Sequence, residues 1–411
     1  MKWEKVKLGD VCSKIGSGAT PKGGSAVYIK KGTALIRSQN VYNLSFEYDG
    51  LAFINDDAAK KLNGVTIEKN DVLLNITGDS VARSCVVPSE LLPARVNQHV
   101  AIIRTDNTVL DPFFLNYYLV SPYMQSLMLG LAVGKGASRN AMTKEMIENF
   151  EIPCPLISIQ KNIVKKLKAY DDLIENQQKQ IALLEEAARR LYREWFVALH
   201  FPGHETTPIT DGVPEGWEIT KIENVCTKIN AGGTPSRNQK SYWQPPTIKW
   251  YKTKELLDGW LLDSEEYISE EGLQNSSAKI FPQNTILMAI YASPTLGRLG
   301  ILDSASACNQ ASLCLIANES IVSWQWLYYK LFELRDVFNS VAIGAGQQNI
   351  SAATVKQQEI ILPPKILIEK FTNISKQLFE RQKILKKQIT LLSEARDRLL
   401  PRLMREGGQA D

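Results

Sequence analysis

The 411-residue sequence predicts an α+β protein: two similar mixed α/β globules joined by two long helices that pair antiparallel as an intramolecular coiled coil. Three observations predict it. Between Ile157 and Leu199, apolar or seam-tolerant residues recur at Ile159, Ile163, Leu167, Tyr170, Ile174, Gln177, Ile181, Leu184, Ala188, Leu191 and Trp195. These steps of four and three keep close to the 3.5-residue period of a coiled-coil seam. The stretch Lys179-Gln-Ile-Ala-Leu-Leu-Glu-Glu-Ala187 returns as Lys387-Gln-Ile-Thr-Leu-Leu-Ser-Glu-Ala395, inside a second run with Phe371, Ile374, Leu378, Arg381, Leu385, Gln388, Leu392, Ala395 and Leu399 along its seam. Each run also follows a copy of one globule pattern. A helix of roughly 60 Å needs a partner along its length. The plainer alternative, two amphipathic helices lying on separate cores, does not explain why the runs recur in matched positions.

The first globule, residues 1–155, opens with Trp3-Glu-Lys-Val-Lys-Leu-Gly-Asp-Val-Cys-Ser-Lys-Ile-Gly-Ser-Gly-Ala-Thr-Pro21. This aligns without a gap on Trp217 to Pro235, the start of the second globule at residues 217–364. Short β-prone runs follow at Val72 to Ile76 and Val100 to Ile103, matched by Ile286 to Ile290 and Leu313 to Ile316, with Gly, Pro and Asn turn clusters between them. Helical patterns come late in each copy, around Pro112 to Leu131 and Trp324 to Val341. The exits Pro153-Cys-Pro155 and Pro363-Pro364 set the chain direction into long helices at residues 156–200 and 365–406. Residues 201–216 lack periodicity and read as a linker, and 407–411 as a tail.

Composition is that of a water-exposed globular chain, and a net charge of +4 permits a polyanionic partner without requiring one. The longest apolar run, Leu127 to Gly134, is far short of a membrane span, and Met1 runs straight into patterned sequence, so a cytoplasmic protein with no membrane partner is expected. No Cys-x-x-Cys pair occurs and the three histidines lack ligand spacing, which argues against a metal site. Cys12 and Cys226 occupy equivalent repeat positions, as small buried residues do. Gly130-Leu-Ala-Val-Gly-Lys135 is one residue short of a phosphate loop, and Gly136 stands where Ser or Thr would be needed. Asp111-Pro112 reads as a helix start. No lysine has a carboxylate two residues before it, as the common metal-dependent nucleases require, and no Gly-x-Ser-x-Gly elbow is present. Catalysis and a cofactor on this chain are not expected.

The order globule, helix, globule, helix resembles the specificity subunit of type I restriction-modification enzymes over essentially the whole chain. Gly18-Ala-Thr-Pro21 and Gly233-Thr-Pro235, Leu35-Ile-Arg-Ser38 and Trp250-Tyr-Lys-Thr253, Asn97-Gln98 and Asn309-Gln310 carry the resemblance. So do Gly136 to Asn140 with Gly346 to Asn349, and Phe201-Pro-Gly-His204 with Pro214-Glu-Gly-Trp217. The resemblance implies a non-catalytic subunit whose globules are target-recognition domains, each reading half of a split, asymmetric DNA sequence. It also implies two methyltransferase subunits docked on the helices and two restriction subunits joining them, with S-adenosylmethionine, ATP and Mg on those partners. An antiparallel helix pair would relate the globules by a pseudo-two-fold axis, presenting both to the duplex in equivalent orientation.

Candidate DNA contacts are polar and basic residues on turns: Lys22, Arg37, Ser38, Gln39, Arg83, Lys135, Arg139 and Asn140 in the first copy. In the second they are Arg237, Lys252, Thr253, Lys254, Arg298, Gln347, Gln348 and Asn349. Arg and Lys suit phosphate or guanine, and Asn and Gln suit adenine edges; the competing reading for each is a solvated turn residue. Arg37 and Lys252 align, so either they anchor phosphate in both half-sites or they have a structural role, such as an ion pair within each globule. Asn97-Gln98 and Asn309-Gln310 read as structural pairs bonded to backbone. A scaffold whose globules bind something other than DNA is the rival reading, and salt-dependent retention on duplex DNA separates the two.

Overall fold

A computed structural model describes residues 3–133, 141–291, 295–342 and 349–404. The chain divides into two compact units, residues 1–175 with 390–411, and residues 176–389. Each unit holds one globule and one segment of each long helix.

In the first unit, β1 (Cys12–Ser17), β2 (Tyr28–Ile29), β3 (Thr33–Ile36), β4 (Ala52–Ile54), β5 (Thr66–Ile67), β6 (Val72–Asn75), β7 (Ser84–Val86), β8 (Ala94–Val96) and β9 (Val100–Thr105) build two sheets. Their orders are β7-β6-β9-β1 and β2-β4-β3-β8-β5. The β-prone run at Val72 pairs antiparallel with the one at Val100, Leu73 opposite Ile102, and all four residues of β6 are buried. β3 and β8 pair in parallel, Leu35 opposite Arg95. The short strand Lys5–Lys7 pairs with Glu151–Pro153 and closes the globule immediately before the long helix.

The second unit repeats this plan with β10 (Cys226–Ala231), β11 (Ile248–Tyr251), β12 (Gly259–Leu261), β13 (Glu266–Ile268), β14 (Ile286–Ala289), β15 (Leu299–Leu302), β16 (Ala307–Cys308) and β17 (Ser312–Ala317). The sheets run β10-β17-β14-β15-β12 and β13-β11-β16, and Glu218–Lys221 with Glu359–Leu362 supplies the same closing pair. β12 has joined the main sheet parallel to β15. At the matching place the first unit has a separate hairpin, Val41–Tyr42 with Ser45–Phe46.

Glycine is required at one shared point. A Cβ on Gly18 would lie 2.2 Å from the Val96 carbonyl oxygen, and one on Gly232 would lie 2.3 Å from that of Cys308. The backbone passes so closely because Gly18 and Gly232 donate to Val100 and Ser312, extending β1 and β10 along β9 and β17.

Each late helical pattern is two helices, α1 (Pro112–Leu119) with α2 (Pro122–Ala132), and α4 (Trp324–Glu333) with α5 (Arg335–Val341). The first break lies at Ser121-Pro122, where Ser121 caps Met124 and proline, lacking an N–H, begins the new helix. The expected linker contains a hairpin, Ile209–Thr210 with Val213–Pro214, turned by Asp211 and Gly212, both at positive φ.

The long helices are α3 (Ile157–Phe196) and α6 (Lys365–Met404). In the first unit, Ile163, Val164 and Leu167 of α3 share a core with Leu400 and Met404 of α6, and Arg396 binds Asp171 at 2.7 Å. In the second, Ala188, Tyr192 and Phe196 share a core with Phe371 and Phe379, and Gln177 donates to Gln388 at 3.2 Å. Within each unit, contacts that advance along α3 retreat along α6, so the segments are antiparallel. Of the expected seam, Ile163, Leu167, Ile174 and Leu385 are buried, whereas Ile181, Leu184, Leu191, Leu378, Leu392 and Leu399 are half-buried. Ile159, Arg381, Gln388 and Ala395 are exposed, and Ile374 departs from the expected seam as well, being 46% exposed. At that level α6 instead buries Phe371, Ser375 and Phe379, because it packs on the second globule as well as on α3.

Candidate nucleic-acid interface

The turns after β3 and β11 are one device built twice. Arg37 donates its backbone N–H to Asn40 Oδ1 at 3.0 Å while Asn40 returns its own N–H to the Arg37 carbonyl at 2.8 Å. Lys252 and Glu255 make the same reciprocal pair at 2.8 and 3.0 Å. The alignment of Arg37 with Lys252 is therefore an equivalence of backbone position.

Their side chains are differently engaged. The Arg37 guanidinium donates to the Gly50 carbonyl and lies 5.5 Å from the Tyr28 ring centroid. Lys252 pairs with Glu266 at 2.5 Å and Glu265 at 3.0 Å; its hydrogen bond to Glu266 raises its pKa above the usual lysine range. Lys254 holds Glu265 at 2.6 Å, and Arg237 binds Glu266 while its guanidinium lies 3.7 Å from the Trp243 ring centroid. Lys254 first and Lys252 second keep Glu265 below the ordinary glutamate range, and Arg237 does the same for Glu266. The second globule thus displays a charge lattice of three cations and two carboxylates on an aromatic base. Both side chains have intramolecular partners, but only Lys252 forms an ion pair; that of Arg37 is a backbone carbonyl.

Among the other expected residues, Lys22 and Gln39 are exposed, and Ser38 and Thr253 half-exposed. Gln39 Nε2 donates to the Gly50 carbonyl at 3.4 Å. The buried Asn75 donates to the Ser38 carbonyl at 2.8 Å, fixing this turn to the end of β6. Arg83 lies over the Tyr42 ring at 4.5 Å and Arg298 is half-exposed, each just before β7 or β15. Ser38, Gln39 and Arg83 are thereby brought to one end of the first globule. Lys135, Arg139, Asn140, Gln347 and Gln348 lie outside the described residues; Asn349 is exposed and bridges Tyr291, as Ala141 bridges Thr77. Of the two pairs expected to bond backbone, Asn97 does, its Oδ1 accepting from the His99 N–H at 3.1 Å, whereas Asn309 Oδ1 accepts from the Ser312 hydroxyl at 3.1 Å and Gln310 from the Thr234 hydroxyl.

Sequence reasoning missed Tyr28, Tyr42 and Trp243, which support the cations, and the carboxylates Glu265 and Glu266. The adjacent acidic pair at the start of β13 was a usable signal for the last two. Among the described residues no group of His, Cys, Asp and Glu could hold a metal ion, and no helix is long and apolar enough to cross a membrane.

A family model for the type I restriction modification DNA specificity domain matches residues 1–186 and 214–397. The type I restriction enzyme MjaIX specificity subunit of Methanocaldococcus jannaschii is 26% identical over 98% of this chain and 92% of its own length. The HindI specificity subunit of Haemophilus influenzae is 21% identical over 98% of both. The crystal structure of a type I restriction-modification S subunit from M. genitalium shares the fold, with a TM-score of 0.59 and 14% identity over 99% of this chain and 97% of that one. With two matches that together span both globules, the chain belongs to the type I restriction-modification DNA specificity family, whose role is to supply sequence specificity to such a system.

Proposed function

We propose that this chain is the DNA-reading specificity subunit of a cytoplasmic type I restriction-modification complex and itself performs no catalysis. Residues 1–155 and 217–364 act as two target-recognition domains, each reading one half of a bipartite, asymmetric double-stranded target. Two methyltransferase subunits dock on the long helices and two restriction subunits complete the assembly. S-adenosylmethionine, ATP and Mg act on those partners.

One observation carries the reading: the same scaffold turn bears unlike chemistry in the two globules. The first presents Arg37, Ser38 and Gln39, and the second Lys252, Thr253 and Lys254 within the lattice of Arg237, Glu265 and Glu266. Gln39 and Ser38 can bond base edges, whereas the second turn offers cations already paired with carboxylates, a donor and acceptor set of a different kind. Two half-sites of different sequence are what a shared scaffold with divergent donors would recognise.

Expression of this subunit with its methyltransferase in a host lacking other modification, followed by genome-wide mapping of methylated bases, tests the reading. A single split motif with unlike halves is expected. Methylation with no sequence preference, or a continuous motif, would refute it.

A further inference from the structure

We infer that Arg83 and Arg298 are an equivalent pair of phosphate contacts, one in each globule, holding the DNA backbone whatever bases are being read. The inference rests on the DNA-reading role proposed above and names the residues that serve both half-sites alike.

Their equivalence comes from backbone hydrogen bonds. Asn75 at the end of β6 donates its N–H to the Arg83 carbonyl at 2.8 Å, and Ala289 at the end of β14 donates to that of Arg298 at 2.9 Å. The residue before each arginine closes the hairpin in the left-handed region, Ala82 at φ +72° and Gly297 at φ +76°, returning its N–H to Asn75 or Ala289. The second hairpin is one residue longer, so ungapped comparison of the copies does not bring the arginines together.

Both hairpin ends are held from behind by different residues making the same bond. Gln125 Nε2 of α2 donates to the Ala82 carbonyl at 2.9 Å, and Arg335 Nε at the start of α5 donates to the Gly297 carbonyl at 2.9 Å. Arg335 is itself gripped by Asp258. On the strand side, Leu44 and Asp258, both at positive φ, donate to Ser84 and Leu299, the residues following the two arginines. Each guanidinium thus springs from a fixed base, which limits the entropy lost when it is immobilised on a ligand.

Charge separates this pair from Lys252, and hydrogen bonding separates it from Arg37, whose guanidinium is held by the Gly50 carbonyl. Among the described residues neither Arg83 nor Arg298 forms an ion pair, and Arg83 rests on the Tyr42 ring face. An arginine without a carboxylate keeps its forked donors and its full charge for an incoming anion. Lys252, neutralised by Glu265 and Glu266, brings little net charge to a phosphate. The surroundings differ: Asn43 Oδ1 accepts from the N–H of Ser84 at 3.1 Å after one arginine, whereas Asp258 Oδ1, itself paired with Arg335, accepts from that of Leu299 at 2.9 Å after the other. A cation retained at one scaffold position amid divergent neighbours suits the part of the ligand common to both half-sites, which is the sugar-phosphate chain.

The test uses the complex of the full chain with its methyltransferase subunits, Arg83→Ala, Arg298→Ala, the double variant, Arg83→Lys, Arg298→Lys and, for comparison, Arg37→Ala. Binding to the mapped target and to a scrambled duplex is measured over a salt series. Each alanine variant should weaken both duplexes by the same factor and reduce the log-log salt slope by about 0.9, the double variant by about twice that, and lysine should restore the slope. Arg37→Ala should leave the slope unchanged. An unchanged slope in both single variants, or a loss confined to the mapped target with an altered methylated motif, would overturn the assignment. A wild-type complex without salt-dependent binding to either duplex would overturn the DNA-reading role itself.

Discussion

Replacing Asp171 should loosen the helix pair of the first unit while leaving the second unaffected. Asp171 on α3 accepts from Arg396 of α6 at 2.7 Å and from the Tyr117 hydroxyl of α1, so one carboxylate joins both helices and the globule. Its side chain is 22% exposed and that of Arg396 15%. Burial pushes the Tyr117 pKa far up, so the phenol stays neutral and, without Asp171, loses the acceptor it donates to. A hydrogen bond to a charged group contributes ~1.5–3 kcal/mol, and breaking a fully buried pair costs ~3–5 kcal/mol. Because Arg396 retains Asp397 at 2.9 Å and some water access, Asp171→Ala should cost about 2–3 kcal/mol, near the lower end of those ranges taken together. Arg396→Ala should cost about 1–2 kcal/mol, since Asp171 keeps Tyr117. The double variant should fall short of the sum by about 1 kcal/mol. Hydrogen exchange read by mass spectrometry on the intact chain gives the local free energies. Asp171→Ala should speed exchange roughly 30- to 160-fold in peptides covering residues 160–175 and 390–404, at 1.36 kcal/mol per tenfold. Peptides from 365–385 should not change. Strict additivity in the double variant, or equal acceleration in both units, would refute the reasoning.

Glu185 is half-buried against the second globule, and desolvation raises its pKa from 4.5 to about 7, offset by Lys386 and reinforced by Asp258. The folded state then binds more protons than the unfolded state between those values, so this group's contribution falls as pH rises from about 4.5 to 7. Glu185→Gln should flatten that decline and stabilise the second unit at pH 8, by up to about 3 kcal/mol; a pH profile of urea unfolding identical to wild type would contradict this. Gly18→Ala and Gly232→Ala should each destabilise only their own unit, by at least ~1–3 kcal/mol, because the new Cβ meets fixed carbonyls; limited proteolysis should cut the affected globule first. Exchanging residues 1–155 for the matching domain of another family member should change one half of the methylated motif and keep the other, and a change in both halves would break the two-module reading.

Where the sequence reading fell short, local preference competed with a neighbour the pattern could not show. The heptad count put Ile374 in the seam, but α6 faces the second globule there, and Phe371, Ser375 and Phe379 are the residues turned inward. The linker looked aperiodic because a two-residue hairpin is too short to show alternation, although Asp211-Gly212 is itself a turn signal. Arg37 and Lys252 were correctly matched in backbone position. Their partners, Gly50 across one turn and Glu265-Glu266 across another, lie at least 13 residues away. Pairing of that kind depends on strand register, which a single sequence does not reveal.

The sequence by itself determined the architecture, since the duplicated Trp-to-Pro opening, the paired β-prone runs and the recurring seam are periodicities of burial, and burial dominates folding free energy. The tertiary structure alone decided which of the candidate cations lack a carboxylate partner among the described residues. Arg83 and Arg298 stand at different distances along their copies, and only backbone pairing to Asn75 and Ala289 makes them equivalent. Arg37 and Lys252, equivalent on both counts, are occupied by groups 13 or 14 residues further along, the Gly50 carbonyl in a turn and Glu265-Glu266 at the start of β13. Charge is written in residue identity, but its availability depends on what lies within a few ångströms after folding, and a carboxylate at 3 Å changes that more than any neighbour in sequence.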